Sequence, residues 1–183
     1  MSIEITKDNL KAQCLIQVLE QFAPEGPIVE IGCIREFHEE PHDGFSTYYL
    51  AKFAAEHGRE FYSFDIEQNS VNAGNHVLKE NNLPFQVMNM CGKEALQGID
   101  DIAFLYLDGA KYPSQTFDQY LQADLIKGAV VYIDDCQPIE EFDRGKGTEL
   151  LNHFDQQGIK YNMLNIPPRF ATAFAVLANG RKR

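Results

Sequence analysis

The sequence is short of positive charge. Its 183 residues include 16 Lys+Arg against 27 Asp+Glu, a formal net charge of −11. Binding to a phosphate backbone draws on counterion release by clustered Lys and Arg, and the one basic cluster is Arg181-Lys182-Arg183. No nucleic-acid partner is therefore expected, and the charge balance suits a neutral or cationic small ligand. Cysteine is also scarce. Cys14, Cys33, Cys91 and Cys136 stand far apart without CxxC spacing, which argues against a zinc ribbon or a disulfide framework and for reduced thiols in a cytoplasm. Residues 1–10 carry Glu4 and Asp8 and have no apolar signal core, and no later apolar run approaches membrane-spanning length. The expectation is a cytoplasmic protein with no membrane contact. Finally, GxGxxG is missing after the first apolar run, and one domain of this length leaves little room for a substrate domain, which disfavours a nicotinamide dehydrogenase.

What is present is an ordinary globular composition, 44% hydrophobic and 23% charged, enough for one continuous core and a single domain spanning 1–183. Apolar residues at Leu10, Cys14, Leu15, Val18, Leu19 and Phe22 recur at helical spacing, so an N-terminal helix is expected within 1–24, ended by Pro24. Short apolar runs at 27–32, 60–66, 85–88, 102–107 and 128–133 read as buried strands. Between them, 46–57, 70–81, 93–97 and 114–123 read as helices, and a further helix is expected over 146–157. This alternation specifies a doubly wound α/β fold, a mostly parallel sheet covered on both faces. The last two strands, 161–166 and 170–177, are joined by a connection too short for a parallel crossover, so they must pair antiparallel.

Ligands of such sheets bind beyond the carboxyl ends of the strands, and polar residues follow each predicted strand. They are Glu30 with Gly32, Asp65, Met90 with Cys91, Asp108 with Lys111, and Asp134 with Asp135. Gly32 allows a tight turn and close backbone approach, and Gly44-Phe45-Ser46 offers a second turn into a helix start. Asp65 stands where doubly wound proteins place an acid for ribose hydroxyls. The plainer alternatives are ordinary turn glycines and a helix-capping Asp65.

At these residues the sequence resembles the class I S-adenosylmethionine-dependent methyltransferases, over nearly its whole length. Val29-Glu30-Ile31-Gly32 with Gly44-Phe45-Ser46-Thr47 is similar to the family's first motif, Phe64-Asp65 to its ribose-binding acid, and Leu107-Asp108-Gly109 and Tyr132-Ile133-Asp134-Asp135 to the ends of its fourth and fifth strands. Within the class the pattern is closest to the metal-dependent catechol O-methyltransferase-like group. The resemblance implies a Rossmann-like sheet of seven strands, with cofactor contacts from Glu30, Gly32, Gly44, Ser46, Asp65, Met90 and Cys91. It also implies a divalent ion on Asp108, Asp134 and Asp135, with Lys111 as general base. Residues 33–44 depart from the family's compact loop by an insertion that includes His38, Glu39, Glu40 and His42, read here as a lid over the cofactor.

Three carboxylates at one edge would repel one another unless a cation lies between them, and oxygen ligands suit Mg²⁺, Mn²⁺ or Ca²⁺. Such an ion would activate an acceptor hydroxyl while Lys111 takes its proton, provided that the lysine is desolvated or beside a cation. The expected activity is metal-assisted O-methylation of a small hydroxylated acceptor by S-adenosylmethionine. Two alternatives stay open: metal-independent methyl transfer, with Asp108 or a pocket tyrosine as the polar group, and a non-catalytic binding protein on the same fold. Acceptor identity and homo-oligomerisation are open as well.

Overall fold

The computed structural model describes residues 10–35, 45–139, 142–166 and 170–182. Gly44, the rest of the insertion from 36 onwards and residues 167–169 lie outside the described residues.

Two fully buried strands make the centre of the molecule. Every residue of β1 (Ile28–Ile31) and β4 (Ile102–Leu107) is buried, and the two strands lie side by side, parallel, with Ile28 beside Phe104 and Ile31 beside Leu107. Around them are β2 (Phe61–Asp65), β3 (Val87–Asn89), β5 (Leu125–Ile133), β6 (Tyr161–Ile166) and β7 (Phe170–Val176). The sheet order is β3-β2-β1-β4-β5-β7-β6. Only the pairings of β7, with β5 and β6, are antiparallel, so the expected doubly wound sheet with its C-terminal hairpin is present. Strand order reverses between β1 and β4, which is the place where such sheets hold ligands.

Helices cover both faces because alternate strand residues point to opposite sides. Ile28, Phe104, Val130 and Tyr132 pack with α1 (Leu10–Phe22), α2 (Ser46–Glu56) and α3 (Gln68–Glu80). Val29, Leu105, Val131 and Ile133 pack with α4 (Gly92–Leu96), α5 (Pro113–Gln122) and α6 (Thr148–Gln157). No helix among the described residues is long and apolar enough to cross a membrane.

Two strands start two or more positions away from the sequence reading, each for a physical reason. β5 starts at Leu125 rather than 128 because backbone pairing with Ile102 and with Arg181 carries the strand through the exposed Lys127. β3 starts at Val87 rather than 85. The Phe85 ring meets Phe61 edge-on at 5.5 Å, and the Asn75 side chain pairs with both backbone groups of Val87.

Two further features position the edge where the strands end. Gly32 follows β1 with φ +91, and a Cβ there would lie 2.3 Å from the Gly109 nitrogen. The loops after β1 and β4 thus abut backbone to backbone, tied by hydrogen bonds from Asp108 and Gly109 N–H to the Ile31 carbonyl. The second feature is Glu30, fully buried within β1. Ser46, at the start of α2, donates to its Oε1 at 2.7 Å, and Ser63 of β2 donates to its Oε2 at 2.5 Å. One carboxyl therefore fastens α2 and β2 to β1. Burial pushes this carboxyl up to about 7, against the opposing hydrogen bonds of Ser46, Ser63 and Thr47.

Two outcomes follow from this packing. Gly32→Ala is expected to cost about 2–4 kcal/mol in urea unfolding, from positive-φ strain plus the clash with Gly109. The Glu30 carboxyl binds its proton more tightly folded than unfolded, so its contribution, about 3 kcal/mol for this shift, is complete below about pH 4.5 and lost as pH rises through about 7. Melting temperature followed from pH 5 to 8 is expected to fall more steeply for the wild type than for Glu30→Gln. Parallel curves would contradict this assignment.

Candidate functional site

The C-terminal ends of β1, β2, β3 and β4 open onto two adjoining cavities. One, of about 260 Å³, is lined by Gly32, Asp65, Met90, Cys91, Gly109 and Gln119, among others. The other, of about 680 Å³, shares Gly32, Asp65 and Gly109 with the first and extends to Asp108, Lys111, Asp135 and Lys146. The larger is within the usual size range of small-molecule and cofactor sites, and the smaller is just below it.

In the smaller cavity, Asp65 is placed by the end of β2 and by two backbone donors. Cys33 N–H reaches its Oδ2 at 3.1 Å and Glu67 N–H reaches its Oδ1 at 2.8 Å. A carboxylate has about four acceptor sites, so Asp65 can still accept from ligand hydroxyls. Ile66 and Met90 expose large apolar side chains beside it, and Gln119 of α5 is buried with its Oε1 unpartnered. An unpaired buried acceptor is costly unless a ligand supplies the donor. Apolar surface, a carboxylate for hydroxyls and an orphan amide oxygen fit an adenosine. Ile66 and Gln119 were missed in the sequence. Ile66 is an apolar residue directly after a strand-end acid, which could have been a signal, but nothing in the sequence marks Gln119 among the polar residues of its helix.

Glu30 and Ser46 face inward in this arrangement. They bond to each other in the interior and line neither cavity, so their role in this arrangement is to hold α2 on the sheet. Gly32, Asp65, Met90 and Cys91 do line the smaller cavity.

The three carboxylates after β4 and β5 come together, and two lysines come with them. Lys146 Nζ donates to Asp108 Oδ1 at 2.7 Å, to the Asp108 carbonyl at 3.1 Å and to Asp135 Oδ2 at 2.8 Å. Asp134 is fully buried beneath, where its Oδ2 is 2.6 Å from Lys11 Nζ and accepts from Tyr106 OH at 2.7 Å. Its Oδ1 accepts from Asp135 N–H. Burial and neighbouring Asp134 push the Asp108 carboxyl up to about 6 against the pull of Lys146. For Asp135, burial is outweighed by Lys146, and the carboxyl is held below its ordinary value. Burial would lower both lysines, but the surrounding aspartates hold each above its ordinary value. Both are therefore ammonium ions at neutral pH.

Lys146 sits in the turn Gly145–Gly147. Gly145 has φ +49, and a Cβ there would lie 2.2 Å from the Asp135 carbonyl, so only glycine lets this turn press onto the loop after β5. The Gly-Lys-Gly tripeptide was a legible signal, hidden by its reading as a helix start. Lys111, in contrast, is exposed at the cavity rim, its Nζ 5.4 Å from the Tyr112 ring centre.

The donor set does not fit a divalent ion in this arrangement. Mg²⁺ asks for near-octahedral oxygens at about 2.0–2.1 Å, whereas Asp108 and Asp135 converge on an ammonium and Asp134 is turned to Lys11 and Tyr106. Among the described residues no group of three or more His, Cys, Asp or Glu side chains is disposed to hold a metal.

No family model and no curated protein matches the chain. Solved structures do. An rRNA methylase from Streptococcus thermophilus superposes with a TM-score of 0.64 at 12% identity, over 91% of this chain and 95% of that one. The O-methyltransferase TomG from Streptomyces achromogenes, involved in tomaymycin synthesis and solved with S-adenosylmethionine, gives 0.62 at 17% identity, over 97% and 82%. An O-methyltransferase from Bacillus cereus in complex with S-adenosylhomocysteine gives 0.62 at 14% identity, over 94% and 82%. By these likenesses and by its strand order, the chain has the fold of the class I S-adenosylmethionine-dependent methyltransferases.

Proposed function

We propose that the protein is an S-adenosylmethionine-dependent methyltransferase acting on a small acceptor. The observation that carries this reading is the smaller cavity at the β1/β4 reversal, where Asp65, Ile66, Met90 and the orphan oxygen of Gln119 surround one adenosine-sized space. The fold and its cofactor-bound neighbours support it. When bound, the cofactor supplies an electrophilic methyl group on a cationic sulfur. Asp65 accepts from the ribose hydroxyls, Gln119 accepts from the adenine amine, and the exposed faces of Ile66 and Met90 lose water against the ring.

The larger cavity takes the acceptor. Methyl transfer is an in-line displacement, so alignment of the acceptor atom against the methyl group provides most of the acceleration and no covalent residue is needed. Asp108 borders this cavity as the proton acceptor, whereas Lys111 lies exposed at the rim without the desolvation that a general-base lysine requires. Asp108 is the better placed, because its carboxyl is poised at about 6 and only its Oδ1 is engaged by Lys146. The net charge of −11 supports a small acceptor over a nucleic acid.

Calorimetry with S-adenosylhomocysteine tests the reading, and the wild type is expected to bind one molecule per chain. Asp65→Ala is expected to weaken binding about 10–100-fold, the worth of charge-assisted hydrogen bonds. Gln119→Leu separates two effects. It removes an unpaired polar atom, so urea stability holds or rises, while cofactor affinity falls about tenfold. A wild type that binds neither S-adenosylmethionine nor its product would sink the proposal.

A further inference from the structure

The ammonium of Lys146 lies where the resemblance places a divalent ion. Its three N–H donors are all used, on Asp108 Oδ1, the Asp108 carbonyl and Asp135 Oδ2, and its side chain is only 14% exposed. An ammonium can donate three hydrogen bonds and no more, so it has no proton left for an acceptor. The backbone holds it there as well. Lys146 N–H bonds to the Asp135 carbonyl at 3.0 Å, and the flanking glycines let the turn approach so closely that a Cβ at 147 would lie 2.7 Å from Cys136 Sγ. A second lysine, Lys11 of α1, does the same for Asp134.

We propose that Lys146 is a built-in replacement for the divalent cation. It cross-links the strand ends of β4 and β5, so the native protein holds no divalent ion among Asp108, Asp134 and Asp135, and a metal site appears there only when the lysine is removed. The inference rests on the geometry of this edge and on the methyltransferase reading only for what the edge is used for. It also defines the acceptor. A site with no ion has no need of a ligand with two adjacent oxygens to chelate it. Because the lysine's donors are spent, what this strand edge offers the acceptor is carboxylate oxygens, which can accept from an O–H or N–H donor.

Titration of the full chain with MnCl2 in the absence of cofactor, read by the loss of the free Mn²⁺ electron paramagnetic resonance signal, tests the proposal. The wild type is expected to show no stoichiometric binding at 1:1. Lys146→Ala and Lys146→Met are expected to bind one Mn²⁺ per chain at least about tenfold more tightly than the wild type, and adding Asp135→Asn is expected to abolish the gain. One Mn²⁺ per wild-type chain, lost in Asp135→Asn, overturns the proposal, as does a folded Lys146 variant that gains no binding. If neither Lys146 variant folds, the wild-type titration decides alone: stoichiometric binding overturns and its absence supports. No cofactor enters this measurement, so its failure is distinct from failure of the methyltransferase reading, which the calorimetry decides.

Discussion

Charge compensation among clustered carboxylates, one fully buried and two partly so, is the constraint on which this architecture turns. β4 and β5 end side by side on Asp108, Asp134 and Asp135, and an unpaired carboxylate in a low-dielectric interior is too costly to keep ionised. The molecule answers with two lysines brought from distant points of the chain. Lys11 comes from the first helix, and Lys146 from the turn just before α6. Each ion pair therefore has a tertiary consequence. The Lys11 pair ties α1 to the end of β5, and the Lys146 pair holds the segment after β5 against the end of β4. Among these five groups one negative charge remains, on an edge that the proposed function places beside a sulfonium.

The same edge is divided by backbone chemistry. The abutting loops at Gly32 and Gly109 lie at the reversal of strand order and border both cavities. On one side are apolar faces, the Asp65 carboxylate and an unpaired amide oxygen. On the other are the aspartates and Lys146. Glu30 works below both sides. It contacts neither cavity but fixes the start of α2 through Ser46 and the middle of β2 through Ser63, so its effect on the site is positional. A buried acid near its point of ionisation at neutral pH makes that attachment sensitive to pH.

Much of the fold was legible because its signals are local. The short apolar runs, the amphipathic helices between them and the tight connection before β7 each depend on residues close in sequence, and the strand ends carry the acids that mark the binding edge. Asp65, Met90, Cys91 and Gly32 line the cavity that this reasoning implies. The side-chain partnerships have the opposite character. Glu30 and Ser46 sit in the right part of the fold, but which way a side chain turns depends on partners such as Ser63, 33 positions away. Three aspartates at strand ends looked like a ligand set because a cation had to lie among them. Cations do lie among them, as lysine ammonium groups, and strand ends carry no mark of which species supplies the charge.

By itself, the sequence determined the doubly wound class, the antiparallel hairpin and the clustering of acids at one edge, because periodicity and connection length are properties of neighbouring residues. Tertiary structure alone decided what neutralises those acids. Lys146 lies 38 positions from Asp108, and Lys11 lies 123 positions before Asp134. Two lysines among sixteen basic residues acquire their meaning only when the sheet brings them within 3 Å of a strand-end carboxylate.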